Sequence, residues 1–326
     1  MAGQGDGPPV IGVDLGGTKI MAGVVAPDNR ILGRGKRNTP AKEGGPAILK
    51  TMLECIDEAL AEAGVARGDV VAAGIGSPGP LDVDAGVILF SANLSVKNYP
   101  IGPELSAALG VPVRLQNDVR VGGYGEFMLG AGRGYTDLIT AFVGTGIGGC
   151  LILNGRIVAG STNNAGEIGH VVVKAGGPRC GCGSKGCMEA FASKTAMANR
   201  LVKAAKKRDC PLGEKILRKG RLKSGDLAQA VRDKDEVAVR EVERAAFYLG
   251  VGLGGLVNVF GPQVVVIGGG VTQALGQPYL DMVADSARQQ IITDPDKTIK
   301  FVQATLGDDA GVLGASLFAR EMMAQG

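Results

Sequence analysis

The sequence predicts an α/β protein of two domains, built on one repeated unit, with a cleft between them. Its 326 residues exceed the usual size of a single core, so two domains are expected. An opening of strand, glycine turn and strand occurs twice, at residues 10–32 and again at 137–160. After each copy, segments with helical apolar spacing alternate with short continuous apolar runs that read as buried strands. No Pro- or Ser-rich linker separates the halves, so a hinge joins them.

Composition narrows the function. Apolar residues make up 45% of the chain, yet no run approaches the ~18 apolar residues of a membrane span. The leader MAGQGDGPP lacks the basic and apolar stretches of a secretory signal and reads as a disordered start. A net charge of +3, scattered along the chain, gives weak support at best for a nucleic-acid partner, and none is expected. The 54 glycines are about one residue in six against an average near ~7%. They cluster beside strand-like runs, where a bare backbone can approach a ligand. Six cysteines without a signal fit a reduced, cytoplasmic protein, in which grouped cysteines bind metal more often than they pair.

Taken in order, VIGVDLGGTKIMAGVVAPDNRIL (10–32) reads as strand, glycine turn, strand, a turn at Pro27-Asp28-Asn29, and a third strand. In 46–65, Ile48, Leu49, Met52, Leu53, Ile56, Ala59 and Leu60 keep helical spacing. Residues 70–82 form a buried strand entering a Gly-Pro loop, 102–110 a short helix, and VPVRLQND (111–118) a strand ending in two polar residues. The second copy, 137–160, turns at Asn154-Gly155, a strong hairpin signal. Helices follow at about 187–208 and 235–260, the first ending in Lys203, Lys206, Lys207 and Arg208, which suit the negative end of a helix dipole. A buried strand then runs into Gly268, Gly269 and Gly270, and a last helix lies near 310–324.

Two glycine loops stand out, DLGGTK (14–19) and GTGIGG (144–149). The second satisfies G-x-G-x-x-G, but the dinucleotide fingerprint needs a helix directly after it, and here a hairpin strand follows. No G-x-x-x-x-G-K-[ST] loop is present. Either these are ordinary hairpin turns, or their successive N–H groups form phosphate-binding nests. Their occurrence at the start of both repeated units favours the nests. In that reading Gly16, Gly17, Thr18 and Lys19 form one cradle, and Gly144, Thr145, Gly146, Gly148 and Gly149 the other. Asp14 is then placed to hold Mg²⁺ directly or through water.

Asn117-Asp118 ends a strand at the boundary between the halves, either as a helix cap or as a base for an attacking hydroxyl. Glu167 and Glu189, each near a glycine loop, are candidate acceptors for sugar hydroxyls, or else surface residues. His170, the only histidine, precedes C-x-C-x₄-C at Cys180, Cys182 and Cys187. Three thiolates and one imidazole complete a tetrahedral zinc set with no open position, so the zinc is expected to be structural. The bland alternative is buried thiols, which is how Cys55, Cys150 and Cys210 read.

The motifs DLGGTK, SPGP, ND, GTGIGG, AGEIGH and CGCGSKGCME, in that order, resemble the ROK family of sugar kinases and repressors from about Ile11 to the last helix. Within it the chain looks most like the bacterial ATP-dependent glucokinases. The resemblance implies an actin-like, ribonuclease-H-like two-domain fold with hexose and ATP in an interdomain cleft. The smaller N-terminal domain would span 10–118, completed by the C-terminal helix at about 310–326, and the larger domain 119–309 with the zinc loop. Asp118 matches the catalytic base. Asn93, Asn117, Glu167, His170 and Glu189 match sugar-binding positions, the two glycine loops match the phosphate loops, and Gly268 to Gly270 match the nucleoside end. Homodimers or tetramers are common in the family. Cys150 departs from a pattern in which many relatives carry another glycine.

The resemblance makes glucose the first substrate expected, with other hexoses or N-acetylhexosamines (N-acetylmannosamine, N-acetylglucosamine, fructose, allose) as alternatives, and ATP the donor rather than polyphosphate. Family repressors share the sugar pocket but carry a winged helix-turn-helix, and thirteen residues before Asp14 are too few for one. A catalytically dead sugar sensor is disfavoured by the intact loops and Asp118.

Overall fold

The computed structural model describes residues 7–207, 209–292 and 298–325. The first six residues of the expected leader, and Arg208 at the end of an expected helix, lie outside them. The chain divides into two compact units, Met1–Met128 with Asp308–Gly326, and Leu129–Gly307.

The first unit opens with β1 (Val10–Leu15), β2 (Lys19–Val25) and β3 (Ile31–Asn38), an antiparallel meander. Asn29, in the turn after β2, takes φ 67°, the left-handed conformation that asparagine tolerates. Helix α1 (Gly45–Ala63) buries Ile48, Met52, Cys55 and Ile56, side chains that join the core beneath the sheet. Each such aliphatic residue contributes roughly 1.5–3 kcal/mol on burial. Strand β4 (Ala73–Ser77), buried throughout, pairs parallel with β1. A small sheet of β5 (Leu81–Asp82), β6 (Val87–Ser91) and β7 (Val96–Tyr99) follows. Then come α2 (Ile101–Leu109), β8 (Val113–Asn117) and α3 (Asp118–Leu129). The main sheet has the order β3-β2-β1-β4-β8.

The second unit repeats this plan with β9 (Leu138–Val143), β10 (Ile147–Leu153) and β11 (Arg156–Ile157). Helices α4 (Met188–Ala192), α5 (Lys194–Ala205), α6 (Pro211–Lys219), α7 (Ser224–Arg232) and α8 (Glu236–Phe260) follow. Strand β12 (Val264–Gly268), α9 (Gly270–Leu275), α10 (Gln277–Arg288) and β13 (Lys300–Gln303) complete it. Its sheet, β11-β10-β9-β12-β13, again joins an antiparallel meander to two parallel strands. The duplication legible in the two openings thus extends through both sheets, as the actin-like fold requires.

The helix expected at 187–208 is instead two, broken at Ser193, whose hydroxyl accepts the Ala196 N–H and starts α5. Helix α11 (Ala310–Gln325) returns to the first unit, where its backbone lies directly on β1 and β4. A Cβ at Gly12 would meet Val312 O at 2.0 Å, and one at Gly74 would meet Ala315 O at 1.9 Å. These glycines serve helix-on-sheet packing, so the glycine excess has a second cause besides ligand approach. Among the described residues no helix is long and apolar enough to cross a membrane.

Candidate active site

In the first unit, Asp14 ends β1 and the DLGGTK loop turns into β2. The loop closes on itself through Gly16 N–H donating to Lys19 O at 2.9 Å. Thr39, just past β3, holds it from behind: its hydroxyl donates to Gly16 O at 2.6 Å and its N–H to Thr18 O at 3.1 Å. Asn93 packs beside the loop, and a Cβ at Gly17 would lie 3.5 Å from its Cβ. Lys19 stands at the exposed start of β2, opposite Asn38.

Asn117 and Asp118 sit where β8 gives way to α3. Asp118 Oδ1 accepts the Val119 N–H at 2.8 Å and Asn117 Nδ2–H at 3.1 Å, while Asn117 Oδ1 accepts the Arg120 N–H at 3.1 Å. The carboxylate is therefore fixed at a helix N-terminus, where negative charge is favoured. Behind it, the buried Arg120 donates to Gln116 Oε1 at 3.2 Å, and that oxygen also accepts the Asn117 N–H at 2.9 Å. Burial foremost, then the Asp118 and Asp308 carboxylates, push Asp14 up to about 7 from the ordinary carboxylate range. Clustered carboxylates that hold a proton against their own repulsion suit a divalent cation with oxygen ligands.

In the second unit, the GTGIGG loop joins β9 to β10, with Gly144 N–H donating to Gly146 O at 2.9 Å. The start of α5 braces it: Lys194 N–H donates to Gly144 O at 2.9 Å, and the Thr195 hydroxyl to Thr145 O at 2.7 Å. Glu189, in the first turn of α4, accepts the Ile147 N–H on Oε2 at 2.9 Å. A Cβ at Gly146 would lie 2.4 Å from that oxygen, so the loop glycine makes room for a carboxylate. Gly148 and Gly149 continue into β10. Gly268 ends β12, and Gly269 (φ 88°) and Gly270 open α9. Val143 O leaves no space for a Cβ at Gly269, so this glycine run adjoins the start of the GTGIGG loop.

The ligating atoms of His170, Cys180, Cys182 and Cys187 lie within 4.8 Å of one another. Cys182 Sγ and Cys187 Sγ are 3.7 Å apart, and Cys180 Sγ is 3.6 Å from His170 Nδ1. Zinc with Zn–S near ~2.3 Å and Zn–N near ~2.0 Å demands edges of roughly 3.8 Å and roughly 3.5 Å in a tetrahedron. The donors fit a zinc ion, and a disulfide at ~2.05 Å is excluded; all three cysteines are free. The second ring nitrogen, Nε2, lies 4.0 Å from Glu167 Oε2, close but longer than a hydrogen bond. Glu167, His170, Glu189 and the cysteines thus come together in one loop region, as their sequence proximity suggests. Asp308, Gln116, Arg120, Thr39 and Thr195 are neighbours that no motif marks.

A family model described as ROK family matches residues 10–322. The chain is 35% identical to a glucokinase of Thermotoga maritima, over 96% of this chain and 97% of that one. Among solved structures, a ROK hexokinase from Thermus thermophilus is 36% identical with a TM-score of 0.82, covering 98% of this chain and 100% of that one. A ROK family glucokinase from Streptomyces griseus, in complex with glucose and AMPPNP, is 33% identical with a TM-score of 0.82, covering 96% and 99%.

Proposed function

The chain belongs to the ROK family, and from that premise we propose that it transfers the γ-phosphoryl group of ATP to a hexose, glucose foremost, giving glucose 6-phosphate. The observation that carries the reading is the Asp118 carboxylate, locked by the Asn117 amide and the Val119 N–H in a unit that also holds the DLGGTK loop and Asp14.

Phosphoryl transfer needs positioning and charge stabilisation more than covalent chemistry from the protein. Asp118 takes the proton from the sugar hydroxyl as its oxygen attacks the γ-phosphorus; the bond to the β-phosphate oxygen breaks and ADP leaves. Asn93, Asn117, Glu167, His170 and Glu189 orient the hexose. The two glycine loops present N–H donors to the phosphates, Lys19 adds positive charge, and Gly268 to Gly270 take the nucleoside end. Asp14 would hold Mg²⁺, which when bound neutralises charge on the phosphates. Closure over the substrates would exclude water, which otherwise competes as acceptor.

His170, Cys180, Cys182 and Cys187 would hold a structural zinc. Its contribution is positional: it ties the chain on both sides of the loop so that Glu167 and Glu189 stay in place. The proposal extends to a cytoplasmic homodimer or tetramer without nucleic-acid or membrane partners; six free cysteines suit a reducing compartment. Asp118→Asn tests the base. Turnover should fall by about 10²–10⁴ while glucose still binds, and near-wild-type turnover would remove Asp118 from that role.

A further inference from the structure

Both glycine loops are held from behind by a threonine hydroxyl, although different elements supply it. In the first unit, Thr39 at the end of β3 donates to Gly16 O at 2.6 Å. In the second, Thr195 in the first turn of α5 donates to Thr145 O at 2.7 Å, with Lys194 N–H taking Gly144 O beside it at 2.9 Å. Duplication does not account for this likeness, since a strand end serves in one unit and a helix start in the other.

The consequence follows from peptide geometry. In a trans peptide the C=O and the following N–H point in opposite directions, and every described peptide here is trans. Holding Gly16 O to the rear turns the Gly17 N–H forward. Holding Gly144 O and Thr145 O turns the Thr145 and Gly146 N–H groups forward. None of these three N–H groups meets an acceptor among the described residues. In the second loop the two forward-facing N–H groups are adjacent, the nest that binds phosphate; in the first the Thr39 hydroxyl orients the single Gly17 N–H. Other loop donors are turned inward: Gly16 and Gly144 N–H close their own turns, and Ile147 N–H meets Glu189.

We propose that Thr39 and Thr195 are positioning residues for the phosphoryl donor, each fixing the peptide orientation that aims its loop's N–H groups at a phosphate. The inference rests on the kinase reading. Neither threonine touches the substrate; both act through the backbone, so the predicted effect is on donor affinity and not on the hexose.

Thr39→Val and Thr195→Val preserve shape and remove the hydroxyl, and Thr39→Ser and Thr195→Ser retain it. Binding of AMPPNP with Mg²⁺ is measured by calorimetry, alongside KM for ATP and glucose and the melting temperature. Each valine variant should bind AMPPNP about five- to tenfold more weakly, with KM for ATP rising in parallel and KM for glucose within about twofold of wild type. The serine variants should restore affinity to within about twofold. Valine variants that bind AMPPNP as wild type does would overturn the inference. So would variants whose nucleotide and glucose affinities fall together with the melting temperature, the mark of a merely structural role. Failure of the wild-type chain to bind AMPPNP would remove the kinase reading and this inference with it.

Discussion

Replacing Asp14 by asparagine should stabilise the metal-free protein at neutral and alkaline pH while abolishing its activity. Asp14 is pushed from 3.8 up to about 7 by burial and by the Asp118 and Asp308 carboxylates. In the unfolded chain the group ionises near pH 4, whereas in the folded chain it keeps its proton until about pH 7. Between those values the folded state binds more protons, so stability falls as pH rises and levels off above pH 7. Three units at about 1.4 kcal/mol each give a ceiling on the order of 4 kcal/mol. Asparagine lacks the ionisation but keeps the shape. Urea unfolding of both proteins in EDTA, followed by circular dichroism from pH 4.5 to pH 8.5 (an assay range of roughly four units), isolates the effect as a difference. Ionisation should separate the two curves by only about 1 kcal/mol at pH 4.5, and the variant should gain further on wild type up to pH 7. Added Mg²⁺ should narrow the gap above pH 7 by stabilising only wild type. A variant-minus-wild-type difference independent of pH would refute the reasoning, because Asp14 would then carry no strained charge.

Elemental analysis of protein purified without chelator should find close to one zinc per chain, and Cys187→Ser should lose it, with KM for glucose rising about tenfold or more. An active, folded preparation without metal would contradict a structural zinc. Gly146→Ala places a Cβ 2.4 Å from Glu189 Oε2 and should weaken glucose binding about tenfold by displacing that carboxylate, as steady-state KM would show. Gly12→Ala drives a Cβ to 2.0 Å from Val312 O and should cost at least about 2–3 kcal/mol through separation of α11 from β1, visible as a lowered melting temperature.

The chemistry-bearing residues were legible because they sit in short contiguous motifs beside turns: Asp14 before DLGGTK's glycines, Asp118 after a strand, and the cysteines within eight positions. The meanders were legible because Asn29 and Asn154-Gly155 mark turns that take positive φ. Helix α3 was not, since Gly122, Gly123 and Gly125 have poor helix propensity. Tertiary contact decides it instead: a Cβ at Gly125 would meet Ala310 O at 2.8 Å. The small sheet β5-β6-β7 escaped notice because strands of two to five residues are too short for alternation to register. Within the site, Thr39, Thr195, Arg120 and Asp308 carry no motif. Asp308 in particular reaches the field of Asp14 only through the return of the chain to the first unit after Gly307, a relation that no local pattern encodes.

The central claim meets its most direct test in phosphorus NMR of the protein incubated with Mg²⁺, ATP and a panel of glucose, mannose, fructose, allose and the N-acetylhexosamines, with polyphosphate as an alternative donor. The account predicts that ATP and glucose give ADP and glucose 6-phosphate fastest, and that Asp118→Asn suppresses the product. Absence of a sugar phosphate from any hexose, or an undiminished yield from the Asp118→Asn variant, would contradict it.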